Sequence, residues 1–180
     1  MIVLYTKKLQ QFLQIPGNGV GLPEKINEDA LWHGNIFLVQ RKKVLQLTHE
    51  ASRFTIFIHG LTKKDLTNLD TIIVKHLRYH LLHEKVPLFE MKYIDRLSSA
   101  FAFFKKPNRS VTSTMNNMKA IYEHIYISQP DTEDKSITHK INHMLFKIDK
   151  QYMYPIELFK EYMLEASLAR EFLENEEQYL

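Results

Sequence analysis

Two short stretches of this chain carry side chains suited to holding or transforming a ligand. The first is Asn108-Arg109-Ser110-Val111, preceded by Lys105-Lys106-Pro107 and followed by Thr112, Ser113, Thr114, Asn116 and Asn117. It sets a rigid turn, basic side chains and a run of hydroxyl and amide groups at the predicted start of a helix. Backbone N–H groups at such a start favour phosphate or carboxylate, and an arginine adds a bidentate grip. Arg109 would supply that grip, Lys105 and Lys106 extra charge, and Asn108 and Ser110 orientation. The same Asn108 or Ser110 serves equally as a plain N-cap, with Arg109 paired to a carboxylate and Asn116 bonded to a neighbouring loop. The second stretch is Trp32-His33-Gly34-Asn35. The only tryptophan could stack a base or ring, beside a histidine able to exchange a proton near neutrality. Alternatively Trp32 plugs the end of a sheet, and His33 and Asn35 satisfy backbone groups.

Histidines form a further set. His76 and His80 are four apart, with His83 three further on, and His139 and His143 repeat the spacing. Residues four apart share a helical face and can share a metal. The zinc-protease pattern needs Glu directly after the first histidine, and Leu77 stands there. His80 also falls on the apolar stripe of Ile73 and Leu77. No resident metal and no cofactor are expected. Phe101, Phe103 and Phe104 followed by Lys105, Lys106 and Arg109 would suit single-stranded nucleic acid if exposed, and core if buried. No nucleophile elbow, P-loop or dinucleotide fingerprint occurs.

The elements that must position these residues follow from periodicity. Ile2–Tyr5 reads as a short strand, and Thr6 as the cap of a brief helix with Leu9, Phe12 and Leu13. Pro16-Gly17-Asn18-Gly19 opens a loop that runs toward Leu31. Runs 35–39, 44–48 and 53–58 are rich in branched and aromatic residues and spaced as antiparallel hairpins, with Trp32-His33 just ahead of the first. Thr62-Lys63-Lys64-Asp65 resembles a capping box before a helix ending near His83. Phe101–Phe104 reads as a strand, and Ser110 starts a helix with Met115, Met118, Ile121 and Ile125 on one face. Ile137, Ile141, Leu145 and Ile148 predict one short helix. Pro155 suits the first turn of a last helix, whose glutamate-rich end opposes the helix dipole. The fold expected is α+β: an antiparallel β meander packed against several helices, with residues 1–154 as one domain. Residues 155–180 form an acidic helix packed on it or used for association.

Bulk properties narrow the class. At 180 residues with 44% apolar and 25% charged residues, the composition is that of an ordinary globular domain. The absence of cysteine excludes disulfides, thiolate zinc sites and cysteine nucleophiles, and suits a reducing cytosol. No apolar run approaches the ~20 residues of a membrane span, so a cytoplasmic protein without a membrane is the expectation. A formal net charge of +3 is too small to argue nucleic-acid binding.

The Thr6-Lys7-Lys8-Leu9 start, the Trp32-His33-x-Asn35 entry, Asn108-Arg109-Ser110-Val111 with Met115-Asn116, Ile141-Asn142 and Tyr154-Pro155-Ile156 together resemble an uncharacterised bacterial family. Its members are small proteins of unknown function, some from plasmids and other mobile elements. The resemblance spans most of the chain except the acidic end. It implies a shared α+β fold and a shared surface around Asn108, Arg109, Ser110 and Asn116. It brings no established catalytic residues. Ser113 stands where the family often has Gly, Asn117 where it often has Asp, and Met144-Leu145 where a Pro is usual. The expected function is a non-enzymatic binding or regulatory protein, with an immunity, antitoxin or phage-conflict role by analogy. It would act through a protein partner or a small anionic ligand held by Trp32, His33, Asn35, Asn108, Arg109, Ser110 and Asn116. The competing readings are a hydrolase or nuclease using His33 with Arg109 and Asn116, a histidine-bound metal, and nucleic-acid binding through the basic-aromatic strip. Homodimerisation through the last helix stays open.

Overall fold

The computed structural model describes residues 1–16, 31–87, 94, 101–105, 108–129, 131–148 and 150–177, side chains of 169–177 excepted. The fold is α+β. A five-stranded mixed sheet has the order β4-β3-β2-β1-β5, with β1 Ile2–Tyr5, β2 Leu31–Val39, β3 Lys42–His49, β4 Thr55–Leu61 and β5 Ala102–Phe104. β2, β3 and β4 form the expected antiparallel meander, while β1 pairs in parallel with both β2 and β5. This parallel pairing corrects the start of β2. Leu31 to Gly34 pair with Ile2 to Tyr5, so Trp32 and His33 lie inside the strand rather than ahead of it. The expected loop ahead of Leu31 lies outside the described residues.

Strand alternation sends neighbouring side chains to opposite faces, and both faces are covered. One face carries Val3, Trp32, Ile36, Leu45, Leu47, Ile56 and Ile58, packed under helices α1 Lys7–Leu13, α2 Leu69–His83 and α5 Pro155–Glu177. Trp32 is fully buried there against Phe54 and Phe159, whose rings stack with centroids 4.4 Å apart. Ile156, Phe159 and Met163 of α5 are fully buried in this core. Gly34 lets α1 approach, because an added Cβ would stand 2.5 Å from Leu9 Cδ2 and 2.9 Å from Val3 Cγ1. The second face carries Phe37, Val44 and Phe57 beneath α3 Arg109–Ser128 and α4 Asp134–Asn142.

Local signals set most helix starts. Thr6 caps α1 by accepting from the Leu9 N–H. The Asp65 carboxylate accepts from both the N–H and the hydroxyl of Thr62 at 2.7 Å, and a 3-10 turn over 63–68 leads into α2. Asn108 caps α3, its Oδ1 accepting from Ser110 N–H at 2.9 Å. The single helix expected over 137–148 is instead α4 followed by a hairpin, β6 Phe146–Ile148 and β7 Gln151–Met153. Phe146 and Ile148 are buried with Lys147 exposed between them, a period of two that outweighs the apparent helical spacing.

Candidate functional site

α3 runs along β2 on the second face of the sheet, and polar residues line the seam between them. At one end His33 Nε2 lies 3.0 Å from Glu50 Oε2, and Asn108 Nδ2 donates to Glu50 Oε1 at 3.0 Å. At the other end Lys119 Nζ sits 5.3 Å from the centre of the Phe37 ring. Asn108, Thr112 and Asn116 are spaced by four along α3, and the Thr112 hydroxyl donates to the Asn108 carbonyl. Asn35, two residues beyond His33 and on the same face, accepts from the Thr6 hydroxyl at 3.0 Å.

The middle of the seam opens into a cleft of about 280 Å³ lined by Thr6, Lys7, Lys8, Asn35, Thr112, Met115, Asn116 and Lys119. Gln46 stands opposite Asn35 in register and is fully buried. Its amide donates to the Met115 carbonyl at 3.0 Å, while its Oε1 has no protein partner among the described residues. Lys7, Lys8 and Lys119 thus stand around a cleft whose walls are hydroxyls, amides and one thioether. Such a lining can neutralise and orient a small anion and carries no evident nucleophile.

The His33 end is closed. His33 is 2% exposed, with Nε2 engaged by Glu50. Glu50 is held as a carboxylate down to about pH 2, chiefly by the His33 hydrogen bond, helped by Asn108 and the nearby charges of His33 and Arg53, and opposed by burial. Arg53 comes from the β3–β4 turn in a left-handed conformation, φ 62°, and is buried. Its Nη2 donates to Ser110 Oγ at 3.3 Å. The turn itself is tied by His49, whose Nδ1 lies 2.9 Å from Ser52 Oγ.

His33, Asn35, Asn108, Ser110 and Asn116 therefore come to one seam, with Ser110 reached through Arg53. Trp32 does not join them, because adjacent residues of β2 face opposite sides of the sheet. Arg109 is exposed at the first position of α3, and Arg53 is the arginine bound at the helix start. Phe101 and Phe103 pack against the first core, Lys105 is exposed, and Lys106 lies outside the described residues. Of the paired histidines, His80 lies on the buried face of α2.

Glu50, Arg53, Thr6 and the lysines of the cleft were not anticipated. Glu50-Ala51-Ser52 reads as a hairpin separator, yet an acid and an arginine inside so short a turn, between His49 and Phe54, are a usable signal. Lys7 and Lys8 enter the sequence reading only within the Thr6-Lys7-Lys8-Leu9 start, and nothing in their spacing points to Lys119. Among the described residues no helix is long and apolar enough to cross a membrane. A search of curated proteins finds no match for this chain. A family model matches residues 2–158, which takes in every residue of the seam and stops within the first turn of α5. The chain belongs to that family, DUF6933, a domain of unknown function.

Proposed function

We propose that this protein binds a small anionic ligand, of the size of inorganic phosphate, a small phosphate ester or a small organic acid, in the cleft between β2 and α3. The observation that carries the reading is the convergence of Lys7, Lys8 and Lys119 on Asn35, Thr112 and Asn116 around about 280 Å³. Cations supply attraction, and the amides and hydroxyls supply direction. The closed His33–Glu50–Asn108 cluster supports a positioning role for His33: it anchors the start of α3 over the cleft. A hydrolytic reading would need His33 to reach substrate, and its burial argues against that.

Thermal unfolding and isothermal titration with inorganic phosphate, a nucleoside monophosphate and a dicarboxylate at millimolar concentration test the proposal. At least one anion should raise the unfolding temperature saturably and bind more weakly as salt increases. A Lys7→Gln/Lys119→Gln double variant should bind at least roughly tenfold more weakly, about 1.4 kcal/mol. The reading fails if none of the anions stabilises the protein, or if the double variant binds as the parent does.

A further inference from the structure

A separate cluster lies where the end of α2 meets α4. His139 lies in the last turn of α4, and His143, four residues on, is the C-cap that follows it. Glu84, which follows the last residue of α2, reaches them from the other side. His139 Nδ1 stands 2.7 Å from Glu84 Oε1, and His143 Nε2 stands 2.8 Å from Glu84 Oε2. The two imidazole rings have centroids 4.2 Å apart. One ligand atom from each residue can be chosen so that all lie within 4.8 Å of one another. The Glu84 side chain is 4% exposed, whereas those of His139 and His143 are 41% and 40% exposed.

We propose that Glu84, His139 and His143 form a binding site for a divalent first-row transition metal of the zinc class. Two imidazole nitrogens with one carboxylate oxygen suit such an ion better than calcium or magnesium, which prefer all-oxygen shells. Around a four-coordinate ion, N and O ligands at about 2.0–2.2 Å stand roughly 3.4 Å apart, so a small turn of the Glu84 carboxylate admits the ion. The imidazoles would bind through Nδ1 of His139 and Nε2 of His143, the atoms that already face the carboxylate. Their half-exposed edges leave the fourth position to water or an incoming ligand. The three protein ligands come from two helices, so the ion would tie the end of α2 to α4. The site shares no residue with the β2–α3 cleft, and each stands or falls independently.

The test uses the full chain without a histidine tag, stripped with a chelator and titrated with Zn²⁺ by calorimetry and with Co²⁺ by visible absorption. One equivalent should bind, with intense ligand-field bands from four- or five-coordinate cobalt, and Zn²⁺ should raise the unfolding temperature. Azide should perturb the cobalt spectrum if the fourth position is open. The conservative Glu84→Gln and the His139→Ala/His143→Ala double variant should lose affinity by at least about 100-fold, whereas His124→Ala, a change at an exposed histidine of α3, should bind as the parent does. Circular dichroism checks that the variants are folded. Absence of saturable binding by the parent overturns the proposal without reference to any variant. So does binding that survives the double substitution, which would place the ion elsewhere.

Discussion

Glu50 concentrates much of the seam's electrostatics in one carboxylate. Its two oxygens are shared between an imidazole in β2 and the capping amide of α3, so one residue fixes a strand to a helix start. Because its folded pKa lies below that of the unfolded chain, its contribution to stability is complete above the ordinary carboxylate range. That contribution is lost as pH falls toward about 2. Glu50→Gln keeps the size but removes the charge, and should cost about 1–3 kcal/mol at neutral pH. The loss should shrink in acid, where the parent carboxylate is itself being protonated. Denaturant titration of both proteins at pH 7 and pH 3 measures the difference, and equal losses at the two pH values would contradict it. Asn108 and Ser110 stand out in the sequence as cap residues, and Asn108 does cap α3. Their partners, Glu50 and Arg53, stood 57 residues or more away in the chain and were hidden in a turn.

At the scale of elements, the free edge of β4 shows how a helix can stand in for a strand. Asn142, the last residue of α4, is fully buried; its Oδ1 accepts the Thr55 N–H at 2.8 Å, and its Nδ2 donates to the Thr55 carbonyl at 2.7 Å. The amide thereby pairs both main-chain groups of Thr55 as a neighbouring strand would, and α4 covers an edge otherwise open to association. Asn142→Ala would strand two buried backbone groups and should cost about 2–4 kcal/mol, read as a fall in denaturant midpoint without change of slope. A loss below 1 kcal/mol would show that water replaces the amide, with ~1 kcal/mol being the ordinary value of one bond. Ile141-Asn142 stands among the residues that resemble the family, and the structure gives Asn142 a structural task. The end of α2 at His83 and the start of α3 were legible to within a residue, whereas the capping box at Thr62 opens a 3-10 turn and α2 itself begins only at Leu69. The β6–β7 hairpin was not legible, because Ile137, Ile141, Leu145 and Ile148 mimic a helix and only Leu145, exposed, breaks the stripe.

At the scale of the whole molecule, the sheet is buried on both faces, and a buried histidine of a covering helix makes stability depend on pH. His80 is buried on α2; burial lowers its pKa from the ordinary 6.5 to about 3, reinforced by the nearby charge of His76, while a hydrogen bond with the Phe57 backbone works the other way. A base with a depressed folded pKa is protonated first in the unfolded chain. Its effect on stability is therefore absent above about pH 6.5 and grows as pH falls toward 3, weakening the fold by up to about 1.4 kcal/mol per pH unit. His80→Leu should flatten the fall in unfolding temperature between pH 6.5 and 4, on top of a pH-independent cost of about 1–3 kcal/mol for the lost hydrogen bond with the Phe57 backbone. Parallel pH slopes for parent and variant would refute this. Phe159 of α5 stacks on Phe54 within the larger core.

Some properties are local and can be read from the chain alone. Periodicity and capping chemistry determined the α+β class, the strands of the meander, the cap at Thr6, a capped helix start at Asn108 or Ser110, and Pro155 as the start of the last helix. Composition determined that no thiol chemistry occurs. The tertiary structure alone decided which polar residues meet. Parallel pairing of β1 drew Trp32 and His33 into a strand, and the two-residue alternation of that strand then sent them to opposite cores. Packing of α3 along β2 brought Lys119 beside Lys7 and Lys8, and packing of α4 against α2 brought Glu84 to His139 and His143. Contacts between distant segments depend on the register and direction of whole elements, and those are set by how the two sheet faces are buried together.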